Sequence, residues 1–368
     1  MSEKLKRIKK RYERARDDKA QWHGHYDDLA RVMLPRRLGF ATTTVEGERR
    51  TEDIFDSTPM QGARSLANAV GSFLRPQGIP DADMRATDDQ IDNLEEVQVW
   101  FADAKETMKS AFDNPKARMR QATGEVDQDL VVFGTGVMFE GESRRHNSLL
   151  LQSIHLKDAV PFFEEEGSPE GLFRKKSLPV RLVAKRFGED KLSEKAREIL
   201  KKNEDEKIEI LHAVIERKDG RPDALLAKNL PYTDLWFELL TLHELSDGGF
   251  HEFPFIIPRW DTSSGEELGR SPGMIALPDA DTLQAMGETI LIAGQRQADP
   301  PLAAPNDGSF DALNTFPGGL SYYDVDTAAA LGGNPFFPIQ SGSNLAISRD
   351  MQLDTRQQVL AAFFKNVL

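Results

Sequence analysis

The chain has 368 residues, is 39% hydrophobic and 29% charged, and carries 21 Phe and a net charge of −13. That is enough apolar material for a sizeable core, and length for two or three domains or one elaborate one. The lack of Cys excludes disulfides, thiolate catalysis and thiolate metal sites and fits a reducing compartment, the acidic balance repels nucleic acid at long range, and no run of eighteen apolar residues marks a membrane span.

Residues 1–16 hold eight Lys and Arg against Glu3 and Glu13 and lack the apolar stretch of a secretory signal. A basic end can meet nucleic acid or an acidic partner; the simpler reading is a solvated helix start. Leu5, Ile8, Tyr12, Ala15, Lys19, Trp22, Tyr26, Leu29 and Met33 alternate in steps of three and four. They predict one helix over 5–33, with Lys19 the break in its apolar face and Leu34-Pro35 its end. That face either packs on its own domain, the favoured reading, or forms a coiled-coil seam between subunits.

Ser57-Thr58-Pro59 starts a second helix, with Ala63, Leu66, Ala67, Val70, Phe73 and Leu74 as its buried face, and Arg75-Pro76-Gln77-Gly78 stops it. A third covers about 92–112 on Leu94, Val97, Phe101, Ala104, Met108 and Ala111, and a fourth about 115–130. Val131 to Phe139 then reads as strand, turn and strand, with a positive φ at a glycine of Gly134-Thr135-Gly136. Short strands follow over 149–155 and 160–164, then helices over 178–187 and 192–202. Antiparallel strands are expected over 208–217, 235–243 and 250–258, with turns at Asp219-Gly220 and Asp247-Gly248-Gly249. A helix over about 279–298 is stopped by Pro300-Pro301. Residues 299–343 are a Pro- and Gly-rich insert, with short apolar pieces such as Leu320-Ser321-Tyr322-Tyr323. The last helix covers about 344–368, with Ile347, Met351, Thr355, Val359, Ala362, Phe363 and Val367 on one face. It reaches the end of the chain without Gly, Pro or a polar tail, so the expectation is a truncated or incompletely read chain, or one that a neighbour completes.

The sequence contains no P-loop, GxSxG or HExxH motif, and Gly134-Thr135-Gly136 is too short for a dinucleotide fingerprint. His23 and His25 are two residues apart, and on a helix they point to different faces, a poor metal pair. Asp279 and Asp281 sit where a helix should begin, so capping is the favoured role and a metal pair the alternative. Asp17-Asp18, Asp27-Asp28, Asp88-Asp89 and Glu164-Glu165-Glu166 read as solvated faces. No catalytic residue, metal site or cofactor is expected. Arg259 and Arg270 flank Trp260 and a loop rich in Pro and Gly. They hold either backbone carbonyls or a neighbouring subunit's carboxylate, or else brace the loop by an Arg–carboxylate bond within the chain.

Several ordered blocks together resemble the portal, or head-to-tail connecting, protein of short-tailed bacteriophages. They are Trp22 with Tyr26-Asp27-Asp28-Leu29-Ala30 and Leu34-Pro35, then Ile54-Phe55-Asp56-Ser57-Thr58-Pro59, then Phe133-Gly134-Thr135-Gly136. Phe253-Pro254-Phe255, Arg259-Trp260, Glu266 and Gly269-Arg270-Ser271-Pro272-Gly273 complete the set, followed by the helix with Leu283. No block is specific alone; the ordered set covers nearly the whole chain.

The resemblance implies an α+β, helix-rich portal-type fold with an α/β wing, a two-helix stem and a small mixed clip. Residues 1–278 would be the wing, with N-terminal helices and antiparallel strands. Residues 279–298 would be the first stem helix, 299–343 the clip and 344–368 the second stem helix, with tunnel loop and crown missing. It also implies a homo-oligomeric ring, usually of twelve subunits, at the portal vertex of the virion, assembled in the bacterial host cytoplasm. Double-stranded DNA would pass through its channel during packaging and ejection. The terminase large subunit, then a tail adaptor, would dock on it, and the major capsid and scaffolding proteins would surround it, with no membrane partner. An acidic body that grips DNA weakly suits a conduit. Arg349, Arg356 and Lys365 would touch phosphates in the channel or, the favoured reading, pair between subunits. Arg259, Trp260 and Arg270 would form a subunit interface or the wing–stem joint. Gly287 and Gly294, seven apart on one helix face, would let neighbouring helices approach. Alternative readings are a metal-dependent nucleic-acid hydrolase using Asp279 and Asp281, and another head–tail ring protein such as an adaptor.

Overall fold

The computed structural model describes residues 3–76, 84–143, 147–298, 302–303, 337–338 and 345–365. The chain is a mixture of helix and sheet, and its contacts divide it into two units. One comprises residues 1–52, 57–277 and 360–368; the other comprises 53–56 and 278–359.

The first unit is built on a five-stranded antiparallel sheet of β3 (Ala159–Phe163), β4 (Pro169–Pro179), β5 (Lys207–Ile215), β6 (Tyr232–Glu238) and β7 (His243–Phe250), in that spatial order. Strand alternation sends Leu211, Leu235 and Phe237 to one face and Ile210, Trp236 and Leu245 to the other. Helix α1 (Glu3–Ala20) covers the first face through Leu5 and Tyr12. Helices α7 (Val180–Phe187) and α8 (Glu194–Lys202) cover the second through Val180, Val183, Ala184 and Ala196. α1 therefore packs on its own domain, and among its basic residues Lys4 bonds Asp247 and Arg11 bonds Glu170 at the surface.

The expected helix over 5–33 is two helices, α1 and α2 (His23–Met33). Lys19 explains the break. It is buried, and its ammonium donates to the carbonyls of Leu156 and Ala159, the latter at 2.5 Å. Trp22 N–H then bonds Lys19 O at 3.0 Å, three residues back, and the axis restarts at His23. Tyr26 of α2 joins Phe40, Phe133 and His155 in an aromatic cluster.

Helix α3 (Thr58–Leu74) starts at Ser57 as expected, but Phe73 and Leu74 are exposed and its buried face is Pro59, Gly62, Ala63, Leu66 and Ala67. A single turn, α4 (Asp89–Asp92), precedes α5 (Glu95–Asp113), none of whose residues is buried. In α6 (Met119–Phe133) the run Val131-Val132-Phe133 is the last helical turn and not a strand. Gly134, at φ 77°, caps that helix in the left-handed region, so the positive φ was read correctly and its context was not. A second sheet of β1 (Met138–Glu142), β2 (Leu149–Ser153) and β8 (Phe255–Ile256), in the order β2-β1-β8, packs on α6 through Met138, Leu151 and Val126.

Two further strands were misread. The eleven-residue β4 was not anticipated, because Arg174, Lys175 and Lys176 interrupt its apolar pattern; its ladders to β3 and β5 support it on both edges. The expected turn at Asp247-Gly248-Gly249 lies within β7. A Cβ on Gly249 would sit 2.1 Å from Ala227 O, so this glycine serves a close backbone approach and not a turn.

Helix α9 (Pro272–Ala298) begins seven residues before the expected start, and the division between units falls inside it, after Leu277. Within the second unit α9 buries Ala280, Leu283 and Gln284, and α10 (Leu345–Ala362) buries Thr355 and Val359. Ile347 and Met351, expected on the same buried face, are exposed. Of the insert over 299–343, Leu302–Ala303 (β9) pairs antiparallel with Phe337–Pro338 (β10). The rest of that insert, with Leu320-Ser321-Tyr322-Tyr323, and Val367, Gln77 and Gly78 lie outside the described residues.

Candidate functional site

The segment around Arg259, Trp260 and Arg270 is a backbone joint between the end of α6 and the start of α9. Gly136 N–H donates to Pro258 O at 3.1 Å, Trp260 N–H to Gly134 O at 2.8 Å and Gly269 N–H to Thr135 Oγ1 at 2.8 Å. Thr135 is fully buried. The two backbones touch at Gly134 and Gly269: a Cβ on Gly134 would lie 2.3 Å from Gly269 O, and one on Gly269 2.2 Å from Gly134 O. Only hydrogen fits at either position.

Ser271 starts α9. Its Oγ accepts from Met274 N–H at 3.0 Å and donates to Val132 O at 2.7 Å, so one hydroxyl caps the helix and anchors it to α6. Pro272 follows in the first helical position, where its missing N–H costs nothing. Asp279 and Asp281 are therefore inside the helix and do not cap it. Pro278 sits there too and removes the N–H that Met274 O would otherwise accept. Two residues apart on a helix, the two carboxylates point to different faces. Among the described residues no group of three or more His, Asp or Glu converges on a possible metal position.

The two arginines take different partners. Arg259 donates to the carbonyls of Gly167 at 2.8 Å and Glu267 at 3.2 Å and lies 4.5 Å over the Phe163 ring. Arg270 grips the carboxylate of Glu266 through Nε, at 2.7 Å, and Nη2, and covers the Trp22 ring at 4.6 Å. The side-chain hydrogen bond from Arg270 holds Glu266 below the usual carboxylate range. Trp260 stacks on Phe364, centroids 6.4 Å apart.

In the second unit, Arg356 Nε donates to Asp56 Oδ2 at 2.8 Å, and the Asp56 side chain is only 3% exposed. Gln352 Nε2 reaches the same oxygen at 3.3 Å. Gln284 Oε1 accepts from the N–H groups of Phe55 and Asp56, and its Nε2 donates to Asp56 O at 2.7 Å. Asp56 is thus held by both helices. Gly287 lies against Phe55, where an added Cβ would come within 3.0 Å of the phenylalanine Cβ, whereas Gly294 faces open space. Arg349 and Lys365 are exposed.

Three polar centres lie outside these expectations: Asp27 and Lys19, both buried, and the half-buried His155. Asp27, read as part of a solvated face, is buried. Its carboxylate accepts from the N–H groups of Gly39, Phe40, Ala41 and Thr42 at 2.8–3.0 Å. Burial pushes its pKa up, but those four bonds outweigh burial and hold it below the usual value. Lys19 is pushed by burial down to about 7, against the pull of Asp158. His155 is lowered to about 3, chiefly by burial and by Arg37, and is neutral at pH 7. Its Nδ1 accepts from Lys157 N–H, so Nε2 carries the proton and donates to Arg37 O. A charged residue inside an otherwise apolar face, as at Lys19, was the available signal; for Asp27 only tertiary contact reveals it.

Comparison with known proteins bears on the whole chain. A family model described as "Bacteriophage head to tail connecting protein" matches residues 5–368. The "Probable portal protein" of Bordetella phage BPP-1 is 25% identical over 369 residues, covering 97% of this chain and 64% of the relative. The "Portal protein" of Salmonella phage epsilon15 is 26% identical over 373 residues with the same coverages. The chain thus spans 64% of the length of these curated relatives. A solved chain from the "Virion of native gene transfer agent (GTA) particle" overlays 91% of this chain and 73% of its own at a TM-score of 0.42 and 11% identity.

Proposed function

The chain belongs to the bacteriophage head-to-tail connecting protein family, and from that premise we propose that it is the structural, non-enzymatic subunit of a phage portal ring. The observation that carries this reading is the family match over 5–368, together with two portal proteins aligned across 97% of the chain. The ring, of twelve subunits, occupies one vertex of the virion capsid after assembly in the host cytoplasm. Double-stranded DNA passes through it on packaging and ejection. The terminase large subunit and then a tail adaptor dock on it, and the major capsid and scaffolding proteins surround it.

Within that reading residues 1–278 are wing, 279–298 and 344–368 are stem helices and 299–343 are the clip. The division of contacts after Leu277 supports a boundary there, and the pairing of Leu302–Ala303 with Phe337–Pro338 supports an insert whose ends meet. Arg259, Trp260 and Arg270 belong to the wing–stem joint: the partners seen for both arginines are within the chain. Gly287 and Gly294 lie on the first stem helix, and open space at Gly294 suits a neighbouring helix. Arg349 and Lys365 face the DNA more freely than Arg356, whose guanidinium is bonded to Asp56.

Native mass spectrometry and electron microscopy of the purified protein test the reading. Closed rings of one stoichiometry with an open centre are expected. A protein that stays monomeric at every concentration and salt level overturns it.

A further inference from the structure

Helix α5 is amphipathic yet buries none of its residues. Trp100 is 63% exposed, with Val99 at 57% and Leu94 at 54%. Around Trp100 the same edge of the helix carries Glu96 and Asp103, with Glu95 beside them; on a helix, positions three and four apart share a face. This edge is an aromatic knob in an acidic surround.

The opposite character appears a few turns away. Between α3, α5 and α6 runs a groove of about 1240 Å³. Its apolar wall includes Ala67, Met84, Met108 and Phe112; Lys105, Lys109, Arg118 and Arg120 outnumber the acidic Asp113 and Asp127, the latter already paired with Arg75. Knob and groove are on the same molecule and opposite in net charge. Trp is favoured at interface centres, and flanking opposite charges steer and register a contact.

We propose that the occupant of this groove is a second copy of this chain, with the Trp100 edge of one subunit seated between α3, α5 and α6 of the next. Knob and groove are different surfaces, so the contact is heterologous, the kind that propagates head to tail and closes into a ring where the rotation between copies allows it. The inference rests on the ring reading for its biological setting, but the pairwise contact is tested separately from it.

Two measurements decide it. In the first, the assembly midpoint of wild type is compared with Trp100→Glu, with Glu95→Lys/Glu96→Lys, with Lys105→Glu/Lys109→Glu, and with all four charge changes in one chain. Trp100→Glu is expected to raise the midpoint at least roughly thirtyfold, the scale of an interface hot spot. Each charge reversal alone weakens assembly, and the fourfold variant regains it. Thermal unfolding of each subunit, done under dissociating conditions, separates misfolding from lost contact. In the second, isotopically light and heavy wild-type chains are mixed and treated with a zero-length carbodiimide. Mixed-label links from Lys105 or Lys109 to Glu95, Glu96 or Asp103 are expected.

Rings that form equally well with Trp100→Glu, or the absence of mixed-label links at these positions, overturn the inference and leave the ring reading standing. Mixed-label links without closed rings overturn the ring reading and leave the contact standing. If Lys109→Glu abolishes retention of duplex DNA and leaves assembly and cross-linking unchanged, the groove binds nucleic acid, and the inference falls.

Discussion

Helices α1 and α5 are near equals as sequences: 18 and 19 residues, both amphipathic, both rich in charge. Their fates differ. α1 lays Leu5 and Tyr12 on the sheet, where Tyr12 meets the Phe173 ring edge-on at 5.7 Å, while α5 keeps Trp100 and Val99 in solvent. Periodicity shows that a helix has an apolar face. It does not show which surface covers that face, because the covering residues arrive from distant parts of the chain.

The contrast can be broken or sharpened by substitution. The largest effect is expected at the sheet face under α1: Phe237→Ala should cost about 3–5 kcal/mol through lost burial and a residual cavity, read as a lower denaturant midpoint. Asp27→Ala leaves four N–H donors without their acceptor, those of Gly39 and Phe40 buried, and a loss of about 2–3 kcal/mol is expected. Because Asp27 is held below the ordinary carboxylate value when folded, its contribution is present above that value and is lost as pH falls through the folded one. An acid titration of stability should therefore be shallower in Asp27→Asn.

A second, smaller pH effect, of the same sign but in an alkaline window, belongs to Lys19. Between about pH 7 and the ordinary lysine value of 10.5 the unfolded chain binds more protons than the folded one. Stability should rise with pH across that window, and Lys19→Met should remove the rise; a pH series of unfolding midpoints checks it. The smallest effect is expected on α5, where Trp100→Ala should shift the stability of the isolated subunit by no more than about 0.5 kcal/mol. A Trp100→Ala loss as large as that of Phe237→Ala would erase the difference between the two helices.

Much of the helical architecture was legible. Proline stops at Leu34-Pro35 and Arg75-Pro76 and the Ser57-Thr58-Pro59 start lie where the structure ends and begins helices. The same rule applies at Ser271-Pro272, seven residues ahead of the start expected near Asp279, and Pro278 lies inside the helix. Val131-Val132-Phe133 is β-branched and aromatic, and local preference favoured a strand; packing against Tyr26 and Phe40 kept it helical. β4 was illegible because its Arg and Lys are tolerated only through neighbours on other elements, such as Lys176 lying 5.7 Å over Trp236. The loop carrying Arg259 and Arg270 is legible in the sequence as a Pro- and Gly-rich segment. The choice between carbonyl and carboxylate partners was decided by Gly167 and Glu266, which spacing did not single out.

One carboxylate on α2 fixes four consecutive amides of the loop that follows it. Those amides have no ladder of their own to shelter them, so their protection from solvent exchange is tied to the helix that carries Asp27. Gly39, Phe40, Ala41 and Thr42 should exchange deuterium as a block, at the rate at which α2 opens, and faster than the strands of the five-stranded sheet. In time as well as in space, then, this loop behaves as part of a helix to which it does not belong.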